Sequence, residues 1–224
     1  MLTRLLEPEV MDDPAEAAEY DAMDHREVNS RFVADLLHFC PDCHGPVLDL
    51  GAGTGLIPLL LDKALPGSRV VAVDAAQSML RLACAHARSQ MASPDFLRAR
   101  AQSLPCADGA FSLVVSNSLI HHVPDPWSVL SEAWRALAPG GWIFMRDLAR
   151  PDDLGELENL VALHATGESA TARRLFADSL HAALTLDEVR ASVARLGAPP
   201  ATVWANSDRH WTWCCRKPWL QGVH

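Results

Sequence analysis

Apolar residues recur along this chain in two different periods, and the change of period divides it. Over Glu27 to Phe39 the apolar positions Val28, Phe32, Val33, Leu36, Leu37 and Phe39 fall close to helical spacing. Pro41 and Pro46 then punctuate the chain. From Val47 short apolar runs alternate with helical stretches. Val47 to Leu50 reads as a first strand and Leu56 to Leu65 as a helix with Pro58 in its first turn, where a missing amide donor is tolerated. Val70 to Val73 reads as a second strand ending at Asp74, and Gln77 to Ser89 as an Ala-rich helix. Phe96 to Ala99 and Phe111 to Val115 give the third and fourth strands. Pro126 to Leu137 gives a helix closed by Pro139-Gly140-Gly141, and Trp142 to Arg146 a fifth strand.

The strand runs are continuously apolar rather than alternating, which predicts a parallel sheet covered on both faces. Residues 152–182 read as helical and Leu186 to Leu196 as a further helix. Ala201 to Ala205 and His210 to Cys214 read as two closing strands. The fold class expected is α/β: a doubly wound, Rossmann-like, mostly parallel seven-stranded sheet with helices on both faces. The organisation expected is one domain over 1–224. Residues 1–45 form a helical extension or lid, 46–147 a cofactor-binding core, and 148–224 a helical insertion followed by closing strands.

Composition narrows the setting. At 224 residues the chain can bury one sizeable core but not two ordinary domains. A net charge of -9 argues against non-specific nucleic-acid binding, which needs a basic face. No run approaches the roughly 20 apolar residues that span a bilayer, and Met1 to Asp13 lacks the features of a secretory signal. The expected location is the cytoplasm, with the six cysteines reduced. The sequence does not define an oligomeric state, and a homo-oligomer is compatible with it.

The chemistry begins at Gly51, Gly53 and Gly55, between the first strand and the first helix. Ligands of open parallel sheets bind beyond the carboxyl ends of the strands, at the switch point. Glycine there allows a tight turn and a close approach of backbone amides. The spacing Gly-x-Gly-x-Gly differs from the dinucleotide pattern, and Leu56 stands where a phosphate-binding loop carries lysine. A neutral or zwitterionic ligand fits better than a pyrophosphate. Asp74, at the end of the second strand, can accept both hydroxyls of a ribose; its alternative role is a helix cap.

Val47-Leu48-Asp49-Leu50-Gly51-Ala52-Gly53-Thr54-Gly55 resembles the first motif of class I S-adenosylmethionine-dependent methyltransferases. Val71-Ala72-Val73-Asp74 resembles their second. Ser103 to Phe111, Leu119-Ile120-His121-His122-Val123-Pro124-Asp125-Pro126 and Leu137-Ala138-Pro139-Gly140-Gly141 continue the series. The likeness is to the small-molecule subgroup that includes ubiquinone and menaquinone C-methyltransferases. It implies S-adenosylmethionine as cofactor, with Asp49, Gly51, Ala52, Gly53 and Gly55 at its methionine part and Asp74 on the ribose. Ala75, Met79, Ala101 and Gln102 would border the adenine, Leu104 would pack on its face, and Ser116 and Asn117 would lie near the carboxylate and sulfonium. Arg100 departs from the pattern, because the family has Asp or Asn there and arginine only donates. Gln102 or a backbone carbonyl then substitutes, or Arg100 stacks on the ring.

His121 and His122 follow the fourth strand and are candidate proton acceptors; Asp147, ending the fifth, is a candidate pocket carboxylate. Tyr20, His121, Arg209 and His210 are candidates for contacting the acceptor, a small molecule. The plainer alternatives are a turn-filling His122, an Asp147–Arg150 pair and a surface hairpin around Arg209. Cys40-Pro41-Asp42-Cys43-His44 has zinc-ligand spacing, but the other cysteines are adjacent, Cys214-Cys215, and point to opposite faces of a strand. No metal is therefore assigned. An RNA or protein methyltransferase is the competing enzyme class, although Asn117 is followed by Ser118-Leu119-Ile120 rather than a Pro-Pro-aromatic run. A non-catalytic cofactor-binding protein is the other alternative.

Overall fold

The computed structural model describes residues 2–7 and 12–219. Two helices come first, α1 (Pro14–Asp21) and α2 (Arg26–Phe39). Then follow β1 (Val47–Leu50), α3 (Leu56–Ala64), β2 (Val70–Asp74), α4 (Gln77–Gln90), β3 (Asp95–Arg98), β4 (Phe111–Asn117), α5 (Pro126–Ala136) and β5 (Leu137–Leu148). Helices α6 (Leu154–His164), α7 (Ala170–Ala182) and α8 (Leu186–Arg195) precede β6 (Val203–Ala205) and β7 (His210–Arg216). The strands form one sheet in the order β3-β2-β1-β4-β5-β7-β6. β1 runs parallel to both β2 and β4, and β6 pairs antiparallel with β7. The expected α/β class is what is observed. Among the described residues no helix is long and apolar enough to cross a membrane.

Local sequence explains the helix starts. Asp13 accepts from the amides of Ala15 and Glu16 with Pro14 in the first turn of α1, and Asp153 and Ser169 cap α6 and α7. Thr185 and Glu188 form a reciprocal capping box at α8. Several element ends differ from the sequence reading by one or two residues, and two larger differences have local causes. β6 is shorter, because Pro200–Thr202 forms a 3-10 turn before it. β5 is longer, since Leu137–Gly141 belongs to the strand rather than closing α5. The Gly140 amide donates to the Lys217 carbonyl and the Lys217 amide to the Gly141 carbonyl, so this segment sits in a ladder that Pro139 does not interrupt.

The chain forms two compact units. The first holds the described residues up to Asn117 from Asp12 onward, Ser128–Met145 and the segment from Cys214. Its core joins Phe32, Val33 and Leu36 of α2 to Val47, Leu61, Val70, Leu113, Val115 and Phe144. Phe32 and Phe144 meet edge to face at 5.2 Å. The Lys217 ammonium donates to the carbonyls of Trp134 and Leu137, capping the carboxyl end of α5. Cys40 and Cys214 lie with sulfurs 3.6 Å apart as free thiols.

The second unit holds the N-terminal residues, Ser118–Trp127 and Arg146–Trp213. Leu148, Leu157, Leu160, Leu180 and Ala183 form its core, with Leu2 and Phe176 against it. Buried Arg150 donates to the Ala183 carbonyl at 2.7 Å and pairs with Glu188 at 2.7 Å. Asp147 is thus not its partner.

Candidate active site

In the first unit, β1 ends in a loop where Gly51, Gly53 and Gly55 all have positive φ, which favours glycine. The Gly51 and Ala52 amides donate to the Val73 carbonyl, folding the loop back on β2. A Cβ on Gly53 would meet nothing within 4 Å, so this turn borders open space. At Gly55 the need is packing: a Cβ would lie 2.7 Å from the Cβ of Ala83 on α4.

Asp74 and the glycine loop are joined directly. Its Oδ2 accepts the Gly53 amide at 2.8 Å, and its Oδ1 accepts that of Ala76 at 2.8 Å. Each oxygen keeps further acceptor capacity. Asp74 does not take the next capping position along α4; Asp12 does, accepting the Ser78 amide at 2.8 Å. Burial raises the Asp74 pKa, partly offset by the amides of Ala76, Gly53 and Ala75. Ala75 and Met79 follow directly, with Met79 buried beside Ala17 and Ala76.

Asp49 stands on β1 in register with Ala72 and Val115. It is 2% exposed, and its Oδ2 is buried with no hydrogen-bond partner. Burial, then Asp74, pushes its pKa well above the usual carboxylate range. A buried carboxylate oxygen with no donor lacks a cation or hydrogen-bond donor from a ligand. Ser116 is tied by its hydroxyl to the Leu50 carbonyl at 2.9 Å, with Asn117 next along β4. Arg100 and Ser103 bridge a tight turn that buries Ala101 beside Gln102. The Leu104 amide beyond it is held by Glu132 at 2.7 Å. Tyr20 stacks on His25 at 4.5 Å, and Asp74 contributes to raising the tyrosine pKa after burial. His86 links the Thr54 carbonyl, at 2.9 Å, to Asp21 of α1, at 3.2 Å.

A second cluster lies within the other unit. Ser118 adopts a left-handed backbone, φ 58, and its amide donates to the Arg146 carbonyl at 2.9 Å. The chain then forms a 3-10 turn over Ile120–His122. Asp147, 1% exposed, accepts from His121 Nδ1 at 2.5 Å and from the amides of Ile120, at 2.5 Å, and Leu148, at 2.7 Å. Burial alone would raise the Asp147 pKa, but the His121 charge and these donors bring it below the usual value. Burial likewise pulls His121 down, and Asp147 and Glu7 outweigh it, so its pKa is raised. Burial and the neighbouring His121 push His122 down to about 4.

Two residues of this cluster lay outside the sequence reading. Glu7 brings Oε1 to 3.3 Å from His122 Nδ1 and 3.7 Å from His121 Nε2. Arg4 donates to the carbonyls of Val123, at 2.8 Å, and Ala182, at 2.6 Å, which ties residues 2–7 down. Neither belongs to a motif; a charged pair in an otherwise apolar N-terminal stretch was the only signal. Arg209 and His210 stand apart from this cluster's hydrogen bonds. Arg209 contacts Asp208 and His164, and His210 contacts Ser207.

A parallel sheet, a glycine loop bonded to the acid after β2, and an orphaned buried carboxylate together resemble the cofactor end of class I S-adenosylmethionine-dependent methyltransferases. A family model described as a methyltransferase domain matches residues 48–145 of the chain. The ubiquinone biosynthesis O-methyltransferase of Albidiferax ferrireducens is 31% identical over 152 residues, covering 62% of this chain and 60% of that one. The demethylmenaquinone methyltransferase of Thermus thermophilus is 37% identical over 105 residues, covering 47% and 48%. Each match spans less than two thirds of the relative's own length. The solved structure of the plantazolicin methyltransferase BpumL in complex with SAH superposes with a TM-score of 0.71. It covers 92% of this chain and 91% of that one at 14% identity, a likeness of fold.

S-adenosylmethionine is the cofactor of this class, and the residues present fit it. The partnerless Asp49 Oδ2 suits the methionine ammonium, the open turn at Gly53 admits a ligand, and Asp74 has acceptor capacity left for ribose hydroxyls.

Proposed function

We propose that this protein transfers a methyl group from S-adenosylmethionine to a small-molecule acceptor in the cytoplasm, as one methyltransferase domain over its full length. The observation that carries this reading is the buried, unpartnered Oδ2 of Asp49 beside the glycine loop. Burial raises the pKa of that carboxyl in the free protein, and its ionised form is costly unless a ligand supplies positive charge or a donor. The bound cofactor supplies an electrophilic methyl group on a sulfonium.

The chain's own residues hold the reactants and manage a proton. Asp49, Gly51, Ala52, Gly53, Gly55, Asp74, Ala75, Met79, Ala101, Gln102, Ser116 and Asn117 form the cofactor side. His121 is the base in the chain alone: Asp147 fixes Nδ1 as the protonated nitrogen, which leaves Nε2 to accept. His122 remains neutral near pH 7, consistent with its low pKa. Tyr20, His121, Arg209 and His210 are the proposed acceptor contacts. One relative is named as a ubiquinone biosynthesis O-methyltransferase and the other as a demethylmenaquinone methyltransferase, which supports a small, largely apolar acceptor. The net charge of -9 weighs against a nucleic-acid acceptor.

Titration calorimetry with S-adenosylmethionine tests the first half. Saturable binding that weakens in Asp49→Asn and Asp74→Asn is expected, and no binding by the folded protein overturns the reading. A panel of phenolic and quinol acceptors with labelled cofactor tests the second half.

A further inference from the structure

We propose that Glu7, His121 and His122 form a three-ligand site for a divalent metal ion of the zinc class, with Asp147 orienting His121 behind it. One carboxylate oxygen and two imidazole nitrogens lie within 4.8 Å of one another. Glu7 Oε1 is 3.3 Å from His122 Nδ1 and 3.7 Å from His121 Nε2. Both distances exceed the usual N–H···O range of about 2.7–3.2 Å, and Oε1 is buried without a hydrogen-bond partner. Tetrahedral zinc with bonds of roughly 2.0–2.1 Å separates its ligands by roughly 3.3–3.4 Å. The 3.3 Å spacing matches one edge of a coordination tetrahedron, and the 3.7 Å spacing comes within about 0.4 Å of another.

The surroundings carry the same design. His121 gives its other nitrogen to Asp147 at 2.5 Å, the carboxylate–histidine arrangement that fixes a ligand's tautomer and strengthens it as a donor. Asp147 is itself held by the amides of Ile120 and Leu148. The other Glu7 oxygen has a long 3.4 Å contact from the Ser179 hydroxyl, so the carboxylate is only loosely held within the cluster. A divalent cation balances the charges of Glu7 and Asp147. Arg4, the neighbouring cation, has its donors directed to backbone carbonyls. The two imidazoles are borderline ligands that favour zinc over calcium or magnesium, and a carboxylate is a common third partner in such sites.

Three protein ligands leave a fourth position open, the pattern of a reactive rather than a structural zinc site. A hydroxyl bound there becomes a stronger acid and releases its proton to water. The inference rests on the reading of this cluster as the place where the acceptor loses its proton. With metal bound, His121 Nε2 is a ligand and the cation, not the imidazole, raises the acidity of the acceptor.

The full chain, stripped with a chelator and dialysed, is titrated with zinc(II) against a chromophoric competitor and with cobalt(II) by absorption. One equivalent should bind, and cobalt should show the intense visible bands of four-coordination. Asp147→Asn should weaken zinc binding about 10–100-fold, and Glu7→Gln and His122→Ala at least as much. Calorimetric binding of S-adenosylmethionine serves as the folding control for each variant. Absence of stoichiometric metal binding by the folded protein overturns the site, as does binding unchanged in Glu7→Gln and His122→Ala. Methyl transfer that persists at full rate without metal overturns the metal's part in acidifying the acceptor while leaving the methyltransferase reading intact. Metal binding with no methyl transfer to any acceptor keeps the site and overturns that reading instead.

Discussion

The carboxylate of Asp74 accepts the amide of Gly53 across 2.8 Å, so the acid after β2 and the glycine loop after β1 are one hydrogen-bonded unit. An acid placed this way shapes the loop before any ligand arrives. Its two roles, fixing the loop and receiving the ribose, are therefore lost together.

Replacing Asp74 with alanine should raise the dissociation constant for S-adenosylmethionine by roughly ten- to a hundredfold, the consequence of losing about 1–3 kcal/mol of hydrogen bonding. Asp74→Asn keeps one acceptor and should fall between the two. Calorimetry on the three proteins checks the order, and equal affinities would refute it.

Asp49 and Asp74 both have pKa values raised by burial above the ordinary aspartate value of about 3.9. In the free protein, groups raised in this way favour folding at low pH, and the contribution fades as pH rises through the folded pKa. Cofactor binding needs the ionised carboxylates and so runs the other way, weakening as pH falls. Asp12 and Tyr20 also face Asp74 and belong to the same titration. The rise in melting temperature produced by saturating cofactor should shrink from pH 8 to pH 5, in a range above about 4. Asp49→Asn should flatten that trend, and a shift independent of pH would count against the assignment.

His121→Ala should lower the rate of methyl transfer about 10²–10⁴-fold, whether the imidazole takes the proton itself or holds the cation that acidifies the acceptor. Cofactor affinity should remain near that of the parent protein, because His121 belongs to the second unit's cluster. Single-turnover rates with a responsive acceptor, beside calorimetry, measure both quantities. A parallel loss of cofactor binding would mean that the histidine is structural.

Leu36, fully buried on α2 against the core of the first unit, gives a stability prediction. Leu36→Ala should cost about 2–5 kcal/mol in denaturant unfolding, depending on how far the site collapses. A loss under about 0.5 kcal/mol, typical of surface changes, would show that α2 is not docked as described.

Much of this architecture was legible in the sequence because its cues are local. Strands β1, β2 and β4 are largely buried and appear as mainly apolar runs, interrupted by Asp49 in β1 and Ser112 in β4, with Gly51 after β1 and Asp74 closing β2. Asp49, near the end of β1, and the three glycines of the loop that follows are close in sequence, so their spacing survives in the linear chain. β5 was harder: Pro139-Gly140-Gly141 looks like an ending, and only pairing with Lys217 turns it into strand. The histidine cluster was half visible. His121, His122 and Asp147 could be chosen as candidates, but Glu7 arrives from the other end of the chain with no periodicity or motif to announce it. Asp12 and His86 were hidden for the same reason, since long-range side-chain bonds leave no regular trace.

The clasp made by Arg4 carries a practical consequence for anyone producing this protein. Residues 2–7 are part of the second unit, with the Leu5 amide donating to the His181 carbonyl and Glu7 at the histidines. A polyhistidine tag joined there would add competing imidazoles a few residues from Glu7. It would distort any assay of ion uptake, so the fusion should be cleaved or moved before that measurement is made.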